Sequence, residues 1–355
     1  MTVLNNLFFK YDFFHARLML GFLFIWASCS LPKNQIEIRG LTMGTTYTIK
    51  IIPSEKNVNI RLLEFEVDSI LTALNKQMST WDPNSEISQF NAHLSIEPFL
   101  VSRSFCDVVK NALSVSERSN GLFDISVYEL MEIWGFGPNP KSDLPDADEI
   151  ESVLIHTGFE KIIAEKQSLQ KLDPLTQLDL NAIAKGYGVD EVFNFLESKG
   201  YNDIFVEIGG EIKCSGRNQR NKYWSIGIEN PTGGNKPDRP FAAIVYADGS
   251  AVATSGNYRN IVDLNGEILG HIIHPKTGYP IQTNVLSVTV LANSCMLADA
   301  WATALMVMDH NNGFSMVESL PEIEAIWILE NGDGTRRIAL STGAKVEDSI
   351  YAFKY

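Results

Sequence analysis

Asp299 and Thr303 stand four residues apart in Leu297-Ala298-Asp299-Ala300-Trp301-Ala302-Thr303-Ala304. On a helix this spacing puts both side chains on one face, within reach of a single ion. A carboxylate plus a hydroxyl is a hard oxygen donor set of the kind Mg2+ takes. The small alanines around them would let backbone or ligand come close. The same pair also arises without a ligand. An Asp near a helix N-terminus is favoured by the helix dipole, and a Thr can bond back to a helix carbonyl.

A second segment runs Asp179-Leu180-Asn181-Ala182-Ile183-Ala184-Lys185-Gly186-Tyr187-Gly188. It reads as strand, turn and helix start. Carbonyls in such a turn can hold a cation, helix N-terminal N–H groups can hold phosphate, and Lys185 adds positive charge. The G-x-x-x-x-G-K-[ST] order of a P-loop is absent. A plain capped strand-to-helix junction, with Gly for tight packing, fits equally. In His271-Ile272-Ile273-His274-Pro275-Lys276-Thr277-Gly278 two histidines stand three apart, but Pro275 forbids a regular helix there. A His in such a place serves as a general base, a phosphate ligand or a structural group. Glu207-Ile208-Gly209-Gly210-Glu211-Ile212 follows the apolar Ile204-Phe205-Val206. Its paired glycines permit φ > 0, for a hairpin turn or for close approach to a flat ligand. Trp81, Phe123, Trp134 and Phe136 could stack on an aromatic ring or pack in a core.

These residues need elements to carry them. Residues 36–52 alternate and are rich in β-branched types, which predicts a strand or hairpin. Apolar spacing predicts helices over 59–78, 101–117, 147–157, 184–199 and 295–309. Residues 79–91 read as turn-rich and polar, 134–145 as a loop, 161–179 as a hairpin and 204–290 as strand-rich. Two last strands are expected around 325–329 and 337–340. Strands and helices interleave without a regular βαβ period, so the fold class is α+β in a single domain.

The whole chain has 355 residues, 29 Lys+Arg against 43 Asp+Glu and a net charge of −14. Hydrophobic residues at 45% are enough for a large core and exclude a mostly disordered chain. The acidic balance argues against broad binding to nucleic acid, so none is expected as a partner. Four cysteines in this length are not a disulfide framework, and no Cys/His spacing suggests zinc. Residues 18–27 form an apolar run of ten, preceded by Lys10 and Arg17 and followed by Ser28-Cys29. The run is short for a membrane span and fits a secretory signal segment. Ala27-Ser28-Cys29 further resembles a bacterial lipoprotein cleavage box, giving a signal peptide at 1–28, a lipid on Cys29 and a mature domain at 29–355. An uncleaved anchor or an ordinary signal peptide is the alternative.

Taken in order, Thr42-Met43-Gly44-Thr45, Ser79 to Ser88 with Phe90-Asn91, Gly121-Leu122-Phe123-Asp124 and the 179–188 turn resemble the FAD:protein FMN transferase (ApbE-type) family. Residues 207–212, Thr254-Ser255-Gly256-Asn257-Tyr258, 271–278 and 299–303 continue the likeness, which covers nearly all of the mature chain. The resemblance implies a single T-fold-like α+β domain. It implies cleavage of FAD at its pyrophosphate, release of AMP and attachment of FMN to a Thr hydroxyl of a target protein. By motif, Asp299, Thr303 and the Ala182 carbonyl match the Mg2+ ligands. Met43, Trp81, Leu122, Phe123, Asp124, Asp179, Lys185 and Ile273 match positions lining the FAD site, and His271 matches the His that acts in transfer. Trp81 stands where many members have Tyr, and His274 where Asp or Asn is common. Glu207 replaces a small or amide residue. The resemblance also implies export, membrane attachment through the lipid on the periplasmic side, and acceptor subunits of membrane redox complexes of the Rnf or Nqr kind. Two alternatives share these residues: an FAD pyrophosphatase giving FMN and AMP, and a flavin-binding lipoprotein without turnover.

Overall fold

The alternation of residues 36–52 becomes a hairpin in the computed structural model of the chain. Strands β1 (Ile36–Thr42) and β2 (Thr45–Ile51) pair from Ile36↔Ile51 to Thr42↔Thr45. Met43 and Gly44 form the tip, both with positive φ (48° and 70°), as a tight two-residue hairpin turn requires. The structure describes residues 33–349 apart from 55–56, 140, 142, 232–240, 248, 258–260 and 265–266. The signal segment, Cys29 and Tyr258 lie outside the described residues. No helix among the described residues is long and apolar enough to cross a membrane.

Helix α1 (Ile60–Met78) buries Leu63, Val67, Leu71, Leu74 and Met78, and the Asn59 side chain caps it. Residues 79–91, expected to be turn, contain the short helix α2 (Glu86–Ala92). Its cap is Ser85, which accepts the Ser88 N–H, and Ile87 and Phe90 anchor it in the core. Strand β3 (Phe99–Leu100), α3 (Arg103–Arg118), α4 (Tyr128–Ile133) and α5 (Ala147–Leu154) follow. Helix α4 was not expected; it has no side-chain cap and is held by burial of Leu130 and Ile133 against Ile150 and Val153 of α5. The hairpin expected at 161–179 is β4 (Ile162–Glu165) with β5 (Ser168–Lys171). Helix α6 (Ala184–Ser198) leads to β6 (Ile204–Ile208), β7 (Glu211–Ser215), β8 (Trp224–Glu229) and β9 (Phe241–Ala247). Then come β10 (Ala251–Gly256), β11 (Ile261–Leu264), β12 (Glu267–Gly270), β13 (Val285–Ala292) and α7 (Cys295–Val307). The chain ends with α8 (His310–Glu318), β14 (Ile323–Glu330), β15 (Arg336–Leu340) and β16 (Asp348–Ser349). Helix α8 was also not expected, and it contains Asn311, Asn312 and Gly313, which are poor helix formers. The Asp309 carboxylate caps it by accepting the Asn311 and Asn312 N–H groups.

The main sheet has eight strands in the order β1-β2-β6-β7-β10-β13-β14-β15, antiparallel at every pairing. This bears out the α+β single domain. Both faces are covered. Along β14, Ala325, Trp327 and Leu329 join the core that holds α7, while Ile326 and Ile328 join the core formed with β8 and β9. Two buried faces explain why the strand reads as a continuous apolar run. Helix α7 is itself buried nearly all round, including Ala298, Ala300, Trp301, Ala302 and Ala304. Cys106, Cys214 and Cys295 are buried free thiols.

One polar cluster locks α6, β7 and the start of α7 together. The buried Asp190 carboxylate takes the Lys213 ammonium at 2.7 Å, the Ser294 hydroxyl at 2.7 Å and the Met296 N–H at 2.9 Å. Breaking a largely buried pair strands the remaining charge. Asp190→Ala is therefore expected to lower the unfolding free energy by about 3–5 kcal/mol, measured by urea denaturation; a loss under about 1 kcal/mol would contradict this account.

Candidate active site

Gly186, in the first turn of α6, lets that helix touch α7. A Cβ there would sit 2.3 Å from the Cys295 carbonyl oxygen and 2.8 Å from the Asp299 Cβ. Because the helices meet so closely, the Gly186 N–H donates to Asp299 Oδ2 at 3.0 Å. As the third residue of α6, Gly186 has an N–H without a partner inside the helix, and Asp299 supplies one. Ala182 lies four residues before Gly186, in the turn that leads into α6. Thr303 lies one turn further along α7, its hydroxyl 3.1 Å from that of Ser255 on β10. The structure thus brings the Asp299 carboxylate to the 182–186 turn and places Thr303 beside it on α7.

The two carboxyl groups of this cluster are buried and its lysine is half-buried. Lys185 Nζ lies 3.8 Å from Asp299 Oδ2 and 3.6 Å from Glu211 Oε1, and it donates to the Asn181 carbonyl at 3.1 Å. Burial works against the Lys185 charge, but Asp299 and Glu211 outweigh it and hold the ammonium above its usual range. Burial pushes the Asp299 carboxyl up, against the pull of Lys185 and the Gly186 N–H. Glu211 rises to about 8, chiefly through burial, with Lys185 opposing and the Asp299 charge adding to it. Glu211 was not singled out from sequence. Its only signal there is its place directly after Gly209-Gly210. Those glycines turn with φ of 62° and 109°, and a Cβ on Gly209 would meet Thr45 at 2.8 Å and Lys185 Cδ at 3.4 Å. The turn thus lies against both the first hairpin and the lysine. Glu207 has a local task, accepting the Gly210 N–H at 2.9 Å.

Met43 reaches the same place from the hairpin tip. Its Cε lies 3.1 Å from where a Cβ on Gly188 would stand. Asn75, near the end of α1, donates to Thr42 at 2.9 Å and ties that tip down. Trp81, three residues past α1, is 62% exposed, so its ring is open to a ligand rather than used in the core. A groove of about 350 Å3 opens between the hairpin and α1, lined by Arg39, Thr42, Tyr47, Asp68 and Asn75 among others.

The remaining expected residues adjoin this cluster through the Asp179 turn. The Asp179 N–H donates to the Ile125 carbonyl at 2.7 Å, joining the turn to loop 121–126. The Asp179 carboxylate caps the turn by accepting from Asn181 N–H and Nδ2 at 2.6 and 3.1 Å, and burial raises its pKa. Asp124 accepts from the Ser126 N–H and hydroxyl and the Phe159 N–H, at 2.6–2.8 Å, so its carboxylate shapes the loop. Phe123 is buried and Leu122 half-buried against the main core. A Cβ on Gly121 would lie 3.4 Å from Lys276 Cε, which sets loop 121–126 against the 271–278 segment. That segment is fixed further by the Trp134 indole N–H, which donates to the Gly278 carbonyl at 2.6 Å. Ile273 is buried with Leu130 and Trp134, and the His271 ring meets Phe136 edge to face at 6.4 Å. His274 belongs to the turn: its N–H donates to the Tyr279 carbonyl and its Nδ1 accepts the Lys276 N–H.

Among the described residues no group of three or more His, Cys, Asp or Glu is placed to hold a metal ion. An ion in this cluster would meet mixed oxygens: the Asp299 carboxylate, the Thr303 hydroxyl and the Ala182 carbonyl. That set suits a hard divalent cation.

Known proteins share this chain's sequence and fold. The model of the ApbE family matches residues 43–327. The FAD:protein FMN transferase of Vibrio cholerae serotype O1 is 40% identical over 324 residues, covering 91% of this chain and 96% of the relative. That of Haemophilus influenzae is 35% identical over 299 residues, covering 82% and 86%. The solved flavin transferase ApbE from Vibrio cholerae superposes with a TM-score of 0.80 at 39% identity, covering 88% of this chain and 98% of that one. The apo flavinyl transferase ApbE of Pseudomonas stutzeri gives 0.79 at 32% identity, covering 88% and 96%. This chain, matched over most of its length in sequence and in fold, belongs to the ApbE family.

Proposed function

We propose that this chain is an FAD:protein FMN transferase that moves the FMN moiety of FAD onto a threonine hydroxyl of a target protein and releases AMP. The observation that carries the reading is the convergence of the buried Asp299, the half-buried Lys185 and the start of α6, with the Gly186 N–H bonded to the Asp299 carboxylate and the Lys185 ammonium 3.8 Å from it. The threonine oxygen attacks the phosphorus of the FMN half, the bridging P–O bond breaks, and AMP leaves with the bridging oxygen. The hydroxyl proton passes to a base.

Asp299, Thr303 and the Ala182 carbonyl would hold Mg2+, which when bound offsets the charge on the pyrophosphate. Lys185 is a positive charge beside that position, and Met43 and the exposed Trp81 offer apolar surface to a flavin. His271 is the proton acceptor. It sits on a segment anchored by Trp134, so the chain supplies alignment as well as charge. The acceptors are proteins of membrane-bound redox complexes of the Rnf or Nqr kind. The enzyme reaches them as an exported lipoprotein held on the periplasmic side by a lipid on Cys29. The apolar run 18–27 followed by Ser28-Cys29 supports that placement.

The direct test incubates the protein with FAD, Mg2+ and a candidate acceptor, and weighs the acceptor. Added FMN mass is expected; free FMN and AMP with no labelled acceptor would point to the pyrophosphatase instead. Asp299→Ala, or chelation of the metal, should slow labelling by at least about 100-fold, and labelling at the normal rate would remove the metal assignment. His271→Ala should keep FAD affinity while slowing transfer by about 100-fold to 10,000-fold, followed by equilibrium FAD binding and labelling rate in parallel. Protein extracted from membranes should start at a diacylated Cys29 by mass; a mature chain retaining residues 1–28 would overturn the lipoprotein reading.

A further inference from the structure

Glu211 is the ionisable residue of this cluster that the catalytic reading leaves without a task. It opens β7 directly after the Gly209-Gly210 turn and is 4% exposed. Its Oε1 faces the Lys185 ammonium at 3.6 Å. Its Oε2 is sealed from solvent and accepts no hydrogen bond among the described residues. Buried acceptors left unsatisfied are costly and uncommon, so this oxygen has room for a second partner such as a water, a ligand or a neighbour that moves.

The neighbour that can move is Lys185. Its ammonium stands between two buried carboxylates at nearly equal range, 3.8 Å from Asp299 and 3.6 Å from Glu211. A divalent ion on Asp299 would share that carboxylate with the ammonium, and the two positive charges would repel at short distance in a medium that screens poorly. The ammonium must then give up Asp299. The carboxylate beside it, with an oxygen to spare, is Glu211. We infer that Glu211 is a positioning residue that takes over the Lys185 ammonium when Asp299 takes a divalent cation, and so frees Asp299 for the ion.

This inference rests on the cation site proposed above, and a double-mutant cycle separates the two. Mn2+ binding to the full chain without FAD is followed by the electron paramagnetic resonance of the free ion. Glu211→Gln should weaken Mn2+ binding by about tenfold or more. In a Lys185→Met background the same change should alter it by less than about twofold, because no ammonium then needs parking. Equal weakening in both backgrounds would overturn the inference, as would no weakening in either. If the wild-type chain takes up no Mn2+, the cation reading falls as well; if it binds and Glu211→Gln binds as tightly, this inference alone falls. Thermal melts confirm that the variants fold, and Glu211→Asp, which retracts the carboxylate by one methylene, runs the same cycle should the amide variant not fold.

Discussion

Two helices in backbone contact set the chemistry of this protein. Gly186 has no side chain, so α6 and α7 approach until an amide of one meets a carboxylate of the other. That bond orients Asp299 and gives a partner to an N–H that the helix start leaves open, with the Lys185 ammonium 3.8 Å from the same carboxylate. A larger residue at 186 would strike the Cys295 carbonyl and separate the groups. The Asp190 cluster repeats the connection one turn further along, joining α6 to the N-terminal end of α7 and to β7.

The surroundings make that contact rigid. The antiparallel sheet is covered on one face by α6 and α7 and on the other by β8 and β9. Turns at its edge and middle, at Met43-Gly44 and Gly209-Gly210, aim backbone and short side chains at the helix junction. Burying Asp299 and Glu211 beside the half-buried Lys185 is a poor way to gain stability, since desolvation offsets most of the attraction. Such a group suits a site where charge must act on a ligand away from water. The loops at 121–126 and 271–278 are tied to this frame by the Asp179–Ile125 and Trp134–Gly278 bonds, so His271 is carried on anchored rather than free chain.

Much of this was legible in the residues. The hairpin at 36–52, the helices at 59–78 and 184–199 and the apolar α7 follow from periodicity, and the structure has them within a few residues. Helices α2, α4 and α8 were not legible. Each is short, and each depends on a cap or on burial against a distant partner: Ser85 for α2, the α5 face for α4, Asp309 for α8. The oxygens of Asp299 and Thr303 were visible as a spacing, whereas Glu211 was not, because nothing local distinguishes a glutamate that follows a turn from a solvated one.

The sequence by itself determined which atoms are on offer. It set a carboxylate and a hydroxyl one helical turn apart, glycines where the chain must turn or touch, and a lysine in the first turn of a helix. Only the tertiary structure decided which of these meet. Asp299 and Gly186 are 113 residues apart, and Lys185 and Glu211 come from different elements. Periodicity reports the face a side chain presents to its own helix or strand. The partner it finds there depends on how the layers pack, and that is a property of the whole fold.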